Sequence, residues 1–223
     1  MLTRVDRISP QVAVLTLDRA ERRNALSVAL RDAITAHLTD LADDPELMAL
    51  VITGAGDVFS AGFDLREFEQ AATDPAFGEQ LWASSDRYHD AVAQCPFVTI
   101  AAVNGPAIAG GFDLAVLCDL RIASTTARFA HPEYTFGDVV YSPLHDLVGG
   151  ARARELCMTG REVSADDALA WGLVTAVVPP VELRAAALEL AGRVARADRA
   201  ALLRTKAKAV ARAREAGGRT LDR

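Results

Sequence analysis

Two short apolar runs, each followed by a loop of small residues and then by a helical pattern, constrain the fold most. Residues 49–53 form one of these runs, and residues 97–103 form the other. A short apolar run bounded by glycine is typical of a strand buried on both faces, as in a parallel sheet covered by helices. Because strands and helices alternate through most of the chain, we predict the α/β class with largely parallel strand pairing.

The character of the sequence changes near residue 180, where Pro179-Pro180 ends the last predicted strand. Residues 181–223 are rich in alanine and arginine, which predicts one or two helices and no strand. We therefore predict two parts, a core formed by residues 1–180 and a short C-terminal helical segment formed by residues 181–223.

The composition disfavours several classes of function. The 223 residues carry a formal net charge of −6, and an acidic chain is a poor ligand for nucleic acid. The most apolar stretch, residues 97–118, contains proline, asparagine, aspartate and three glycines, which predicts a strand, a turn and a helix and no membrane span. The N-terminus lacks a signal-peptide pattern, and the three cysteines are widely separated. These features predict a cytoplasmic protein with no membrane or nucleic-acid partner.

Common cofactor and metal motifs are missing from the sequence. Gly54-Ala55-Gly56 lacks the third glycine of a dinucleotide-binding loop, and the segment 105–112 lacks the Lys-Ser/Thr pair of a phosphate loop. The histidines are His37, His89, His131 and His145. They share no metal-ligand spacing, so each is interpreted as a structural or surface histidine, and no metal site is predicted.

Two loops of small residues remain as candidates for a functional site. The first covers residues 59–65, and the second covers residues 104–111. Each loop opens a helix, where backbone N–H groups have no helical partner and lie at the positive end of the helix dipole. Two such N–H groups that meet at one oxygen form an oxyanion hole, and tight strand–helix packing is the alternative interpretation of the small residues.

Two acidic residues accompany these loops. Asp113 lies in the first turn of the second predicted helix, among apolar neighbours, and Glu133 follows His131-Pro132 in a predicted loop. Positioned carboxyl groups can act as general acid and general base. The alternatives are that Asp113 balances the helix dipole and that Glu133 is an exposed loop residue.

Taken together, these segments resemble the crotonase family, also called the enoyl-CoA hydratase/isomerase family. The matching pieces, in family order, are RAERRNAL (19–26), FSAGFDL (59–65), AVNGPAIAGG (102–111), CDLRIA (118–123), FAHPE (129–133), AREL (153–156) and GLV (172–174). The resemblance covers residues 5–180. It implies a crotonase-like α/β fold, with stacked β-sheets flanked by helices and a C-terminal helical part.

The resemblance implies an enzyme that binds acyl-CoA thioesters and stabilises the enolate formed at the thioester carbonyl. The oxyanion donors would be the backbone N–H groups of Phe63 and Gly110, while Asp113 and Glu133 would be the acid and base, with Glu133 as the main proton carrier. Coenzyme A is then part of the substrate, and no other cofactor is expected. Two loops would hold the adenine and phosphates through Arg22, Arg23, Ala25, Ala61, Asp64 and Leu65.

Departures from the family pattern leave more than one function open. Asp113 stands where hydratases of the family carry glutamate, so its carboxylate is retracted by one methylene. Aspartate there also resembles the dienoyl-CoA isomerases of the family, although the further aspartate of that subtype falls on Tyr141. The leading prediction is an enoyl-CoA hydratase. The alternatives are a double-bond isomerase and an acyl-CoA binder without activity, and the resemblance implies a homo-trimer or hexamer.

Overall fold

The structure, a computed structural model, describes residues 2–135, 137 and 139–217. The first half contains β1 (Thr3–Ser9), β2 (Val12–Leu17), α1 (Val28–Ala42), β3 (Ala49–Gly54), α2 (Leu65–Ala71), α3 (Pro75–Gln94) and β4 (Val98–Val103). The second half contains β5 (Ala107–Ile108), α4 (Gly110–Leu117), β6 (Leu120–Ser124), β7 (Arg128–Ala130), α5 (Ser142–Val148), α6 (Gly150–Thr159), β8 (Val163–Ser164), α7 (Ala165–Ala170), β9 (Val177–Val178), α8 (Leu183–Ala195) and α9 (Arg199–Gly217). Short 3₁₀ helices cover Ala20–Arg22, Pro132–Thr135 and Pro180–Glu182.

The strands form two sheets. The main sheet has six strands in the order β1-β2-β3-β4-β6-β9, and β5, β7 and β8 form a smaller second sheet. In the main sheet β1 pairs with β2 antiparallel, and the other neighbouring strands pair in parallel. The prediction of an α/β chain with largely parallel strands is confirmed, whereas β1 was not predicted.

Helices cover both faces of the main sheet, which explains why its central strands are apolar without interruption. On β2, Ala13 and Leu15 belong to the core that includes residues of α1, α3 and α4, while Val12 and Val14 belong to the core that includes Leu183 of α8. Full burial of one such aliphatic side chain contributes about 1.5–3 kcal/mol. Helix α8, which follows the predicted boundary at residue 180, thus completes the second face of the sheet.

The C-terminal helix α9 is fixed to the core by a buried ion pair. Lys206 Nζ lies 2.7 Å from both carboxylate oxygens of Asp119, and its side chain is 5% exposed. Asp119 also accepts a hydrogen bond from the N–H of Thr99 at 2.8 Å, so the pair joins α9 to β4. Residues 218–223 of the predicted C-terminal segment lie outside the described residues.

Three further observations concern the predicted compartment and cofactors. Cys95, Cys118 and Cys157 are all buried and form no disulfide. Among the described residues, no helix combines the length and apolar character needed to span a bilayer. The same residues contain no cluster of three or more side chains that could hold a metal ion.

Candidate active site

The loops that follow β3 and β4 lie side by side and are joined by backbone hydrogen bonds. The N–H groups of Phe59 and Ser60 donate to the carbonyl of Pro106 at 3.1 and 3.2 Å, and Ile108 donates to the carbonyl of Ser60 at 2.9 Å. Because β3 and β4 are parallel neighbours, their carboxyl ends meet at one edge of the sheet. The two small-residue loops found in the sequence therefore form one site.

Two glycines allow this close approach. A Cβ atom on Gly62 would lie 2.7 Å from the Cβ of Ala109 and 3.2 Å from the amide nitrogen of Gly110. A Cβ atom on Gly110 would lie 2.8 Å from two ring carbons of Phe63. Gly62 also has a φ of +85°, which favours glycine. The glycines thus place the Phe63 turn in direct contact with the start of α4.

The N–H groups of Phe63 and Gly110 have no hydrogen-bond acceptor among the described residues. Gly110 is the first residue of α4, so its N–H has no acceptor within the helix and lies at the positive end of the helix dipole. Ala109, just before it, has φ 52° and ψ −129°. Such a conformation costs a residue with a Cβ atom about 1–3 kcal/mol. The surrounding structure therefore holds the peptide that carries the Gly110 N–H in a strained orientation.

A buried arginine supports the Phe63 side of the site. The Cζ atom of Arg31 lies 4.4 Å from the centroid of the Phe63 ring. Its guanidinium donates to the carbonyls of Leu26 at 2.7 Å and Leu81 at 3.1 Å, and burial lowers the pKa of Arg31. A desolvated cation–π contact contributes about 2 kcal/mol. Arg31 thus ties the Phe63 turn to α1 and α3, a role that the sequence did not reveal.

The two loops predicted to hold coenzyme A are joined to each other. Ala61 N–H donates to the carbonyl of Arg23 at 2.9 Å, and Leu26 N–H donates to the carbonyl of Gly62 at 2.8 Å. The side chain of Asn24 is buried and donates to the carbonyls of Ala55 and Val58 at 2.9 and 2.8 Å. This asparagine fixes the loop of residues 22–26 against the segment that follows β3.

The side chains of the predicted coenzyme A residues differ in what they contact. Arg22, Arg23 and Leu65 are exposed, whereas Ala25 and Ala61 are half-buried. The carboxylate of Asp64 accepts from Arg19 at 2.8 Å and from the first turn of α2, so it is used within the protein. Among the six predicted coenzyme A residues, Arg22 and Arg23 are therefore the two whose exposed charge can meet a phosphate.

The two predicted acid–base residues come together through the second sheet. The N–H of Ala109 donates to the carbonyl of Ala130, the last residue of β7, at 2.8 Å, and this contact places the residues after β7 beside the first turn of α4. Asp113 is 7% exposed and Glu133 is 9% exposed. Both carboxylates are therefore buried at the same site, and neither is the exposed side chain of the alternative interpretations.

His131 lies between these carboxylates. Its Nδ1 is 2.9 Å from Oε1 of Glu133, and its Nε2 is 3.8 Å from Oδ1 of Asp113. The ring is fully buried and stacks on Phe112, with 4.6 Å between the ring centroids. The atoms Asp113 Oδ1, His131 Nε2 and Glu133 Oε2 have no hydrogen-bond partner among the described residues.

The burial of this cluster shifts its protonation. Burial raises the pKa of Asp113 to about 7, with the charge of His131 opposing the rise and that of Glu133 adding to it. Burial acts to lower the pKa of His131, but the hydrogen bond to Glu133 and the two negative charges outweigh it and raise this pKa. The raised pKa of Asp113 favours its neutral form up to about neutral pH, so this carboxyl group can donate a proton there.

The sequence interpretation of His131 as a structural or surface residue did not foresee its position, which is buried and between Asp113 and Glu133. The signal available in the sequence was its position two residues before Glu133. That spacing alone does not predict where the His131 ring points. Its position between the two carboxyl groups depends on the short 3₁₀ helix Pro132–Thr135 and on the pairing of β5 with β7.

The fold and the site together combine two backbone N–H groups that have no acceptor among the described residues, those of Phe63 and Gly110, with a pair of buried carboxyl groups. Free backbone donors of this kind suit enzymes that stabilise an oxyanion. The family model described as enoyl-CoA hydratase/isomerase matches residues 7–222. The short-chain-enoyl-CoA hydratase of Clostridium acetobutylicum is 35% identical over 189 residues, which cover 82% of this chain and 72% of that protein. The chain belongs to the enoyl-CoA hydratase/isomerase family.

Solved structures show the same fold. The enoyl-CoA hydratase from Bacillus anthracis superposes with a TM-score of 0.86 at 33% identity, covering 93% of this chain and 81% of that one. A monofunctional enoyl-CoA isomerase from M. smegmatis superposes with a TM-score of 0.82 at 31% identity, covering 95% and 93%. The predicted family and the predicted crotonase-like fold are thus confirmed.

Proposed function

We propose that the protein is an enoyl-CoA hydratase, which adds water across the double bond of a 2-enoyl-CoA thioester. The observation that carries this proposal is the pair of buried carboxyl groups, Asp113 and Glu133, each with one oxygen free of partners among the described residues. Hydration needs one group that takes a proton from water and one that gives a proton to the α-carbon. Two carboxyl groups in different environments can divide these tasks.

The proposed oxyanion donors are the N–H groups of Phe63 and Gly110. When the oxygen of water bonds to the β-carbon, the electron pair of the double bond moves towards the thioester oxygen and forms an enolate. Two donors that are free and fixed before the reaction stabilise this charge without reorganisation, and loss of one such donor typically raises the barrier by about 2.7–4 kcal/mol. Protonation of the α-carbon then returns the electron pair and restores the thioester carbonyl.

The proposed coenzyme A site consists of the two joined loops with Arg22, Arg23, Ala25, Ala61, Asp64 and Leu65. The free guanidinium groups of Arg22 and Arg23 suit phosphates. Asp64 contributes by holding its loop in place through Arg19. In the proposed reaction coenzyme A is part of the substrate. Because the reaction moves protons and adds water without oxidation or reduction, it uses no further cofactor.

Double-bond isomerisation is the second candidate function. It is supported by the shorter side chain of Asp113 and by the likeness to the isomerase from M. smegmatis. One carboxylate suffices for this reaction. Glu133 can take the α-proton of a 3-enoyl thioester, which forms a dienolate, and then return the proton to the γ-carbon. Tyr141 occupies the position of the further aspartate of dienoyl-CoA isomerases, which favours a simple enoyl-CoA over a dienoyl-CoA as the substrate.

We further propose that the protein works as a homo-trimer or hexamer in the cytoplasm. Large apolar side chains are exposed on α6 and α7, with Met158 67% exposed and Leu169 44% exposed, and a subunit contact would cover them. Three buried free thiols are compatible with a reducing compartment. Light scattering after size-exclusion chromatography gives the mass, and a monomer at micromolar concentration would contradict the assembly.

The function is tested by mixing the protein with a short 2-enoyl-CoA and, separately, with a 3-enoyl-CoA while following absorbance and products. Hydration of the first substrate is expected, and the Glu133→Gln variant is expected to lose about 10²–10⁴-fold in kcat with little change in acyl-CoA affinity. Glu189→Gln, an exposed change on α8, serves as the matched control.

Three outcomes would contradict parts of the proposal. Turnover of the 3-enoyl-CoA alone would establish the isomerase. Tight binding without turnover of either thioester would establish a binder. Activity of Glu133→Gln equal to that of the unmodified protein would remove Glu133 from the reaction while leaving the substrate class in place.

A further inference from the structure

A row of aromatic rings leads from Phe63, one of the two residues proposed as oxyanion donors, to the surface. The rings of Phe63 and Phe68 are nearly parallel, with 6.1 Å between their centroids and 19° between their planes. The rings of Phe68 and Trp82 meet edge-on, with 5.8 Å between their centroids and 60° between their planes. Phe68 is half-buried and Trp82 is 43% exposed, so the row begins at the site and ends at solvent.

Helix α3 carries one side of this row. The stripe of α3 that contacts α2 and Phe63 contains Gly78, Trp82 and His89, which are spaced by four and seven residues. The two helices come close at Gly78, because a Cβ atom there would lie 3.7 Å from the carbonyl oxygen of Ala71. At the inner end, His89 stacks on Phe63 at 6.1 Å and is 4% exposed. The stripe thus runs from the buried part of the site out to Trp82.

Helix α2, which carries Phe68, is fixed to the rest of the protein by its acidic residues. The carboxylate of Glu67 accepts a hydrogen bond from the N–H of Val28, the first residue of α1, at 2.8 Å. Asp64 caps the start of α2 and binds Arg19 at 2.8 Å. The ring surface is therefore formed before a ligand arrives, which lowers the ordering cost of binding.

The position of the row relative to the thioester determines which part of an acyl-CoA can reach it. In the proposed function the coenzyme A part lies with Arg22 and Arg23, in the loop that is hydrogen-bonded to Ala61 and Gly62, just before Phe63. The rings of α2 and α3 lie beyond Phe63, and apolar rings that are exposed beside a site are typical of a surface that a ligand covers. The acyl group is therefore the part of the ligand that meets these rings.

We propose that Phe68 and Trp82 select acyl-CoA thioesters whose acyl group carries an aromatic ring on the β-carbon; this inference rests on the proposed function. A flat ring can stack on phenyl and indole rings or meet them edge-on, and such pairs add affinity beyond the apolar area that they bury. A straight alkyl chain buries area on the same rings but lacks this contribution. The substrate class is then a 3-arylacryloyl-CoA, and addition of water to it gives a 3-aryl-3-hydroxypropanoyl-CoA.

Binding of saturated thioesters, which cannot be hydrated, measures this selectivity. Isothermal titration calorimetry compares 3-phenylpropanoyl-CoA with octanoyl-CoA, which carries a flexible apolar chain without a ring. The phenyl compound is expected to bind about 2–10-fold more tightly. Trp82→Leu and Phe68→Leu keep an apolar side chain but remove a ring, so each should bring the two affinities closer together.

A matched control removes a ring from another face of α3. Phe77 lies on α3 at helical spacing with Leu81 and Ser84, which contact Arg31 of α1, and Phe77→Leu should leave the ratio of the two affinities unchanged. Equal affinities in the unmodified protein, or a ratio that survives both Trp82→Leu and Phe68→Leu, would overturn the proposal.

Tryptophan fluorescence gives a second measurement at the outer end of the row. The chain has two tryptophans, and Trp171 lies between Arg152 and Arg161, so the Trp171→Phe variant reports Trp82 alone. Saturating 3-phenylpropanoyl-CoA is expected to shift the emission of Trp82 to shorter wavelength, whereas coenzyme A alone should not. The Trp82→Leu variant, which retains Trp171, should show no shift. An unchanged Trp82 emission in the saturated complex would overturn the proposal.

The outcomes separate this inference from the proposed function. Hydration of a short 2-enoyl-CoA without any preference for the phenyl thioester would overturn the selectivity and leave the hydratase in place. A preference for the phenyl thioester without turnover of any 2-enoyl-CoA would contradict the hydratase and leave the selectivity in place. Failure of both saturated thioesters to bind would overturn both.

Discussion

Replacing Asp113 with asparagine should change how the stability of the protein depends on pH. Burial, opposed by His131 and reinforced by Glu133, raises the pKa of Asp113 to about 7, against an ordinary value of 3.8. The folded protein therefore keeps this proton over a pH range in which the unfolded chain has already released it. Stability from the protonated carboxyl is fully present below pH 3.8 and is lost as the pH rises towards 7.

The size of the effect follows from the width of that range. Each pH unit between the two values removes about 1.4 kcal/mol of unfolding free energy. From pH 5 to pH 8 the loss through this one group is therefore about 3 kcal/mol, because it levels off above pH 7. Asparagine has the same shape and no charge to desolvate, so the variant does not suffer this loss. The difference in unfolding free energy between the variant and the unmodified protein should therefore shift by about 3 kcal/mol in favour of the variant from pH 5 to pH 8.

The assay is urea unfolding at pH 5, 6, 7 and 8, at one protein concentration and one ionic strength. Asp40→Asn, at an exposed position on α1, is the control, and its difference from the unmodified protein should not vary with pH. A constant difference for Asp113→Asn, or one that grows towards acid pH, would show that Asp113 is ionised in the folded protein and would refute the desolvation argument.

Three further predictions concern the same site. Asp113→Glu should preserve or raise hydratase activity, and a large loss of kcat would show that the site is built around the shorter acid. Arg22→Ala and Arg23→Ala should each weaken acyl-CoA binding up to about fivefold at low salt and less at high salt, and unchanged affinity in a salt series would remove these residues from the coenzyme A site. Ala109→Gly should leave the unfolding free energy unchanged or raise it by up to about 2 kcal/mol, because it relieves a strained φ. Ala36→Gly, at an exposed position in the interior of α1, should instead cost about 1 kcal/mol, and equal losses in urea unfolding would contradict the strain.

Much of the fold was predictable because its signals are local. The buried strands β3 and β4 are apolar runs bounded by glycine or proline, and their predicted limits differ from the observed ones by one residue. Ser164 caps α7 through the N–H of Asp167 at 3.1 Å, and Gly160 ends α6 in the left-handed conformation, as their spacing predicted.

Elements without a local signal were missed. Strand β1 lies at the edge of the sheet and buries few of its side chains, so it has no apolar run. Helix α5 has seven residues, too few for a clear helical period. The division of the chain at residue 180 stays a prediction, and α8 beyond it packs into the core of the main sheet.

The candidate site was predictable in its parts and only partly in its arrangement. The two small-residue loops and the carboxyl groups of Asp113 and Glu133 were singled out from the residues themselves. The family resemblance then assigned the oxyanion donors to Phe63 and Gly110 and the acid–base roles to the two carboxyl groups. The contact of His131 with both carboxyl groups depends on the pairing of two-residue and three-residue strands, and such strands are too short to show an alternating pattern. Arg31 was missed because a charged residue in a helical pattern is ordinarily a surface residue.

The most direct test of the account is a crystal structure of the Glu133→Gln variant with a short 2-enoyl-CoA bound, since this variant should bind the thioester without consuming it. The account predicts that the thioester oxygen lies about 3 Å from the amide nitrogens of both Phe63 and Gly110, with the double bond beside Asp113 and residue 133. A thioester oxygen that contacts neither amide nitrogen would contradict it.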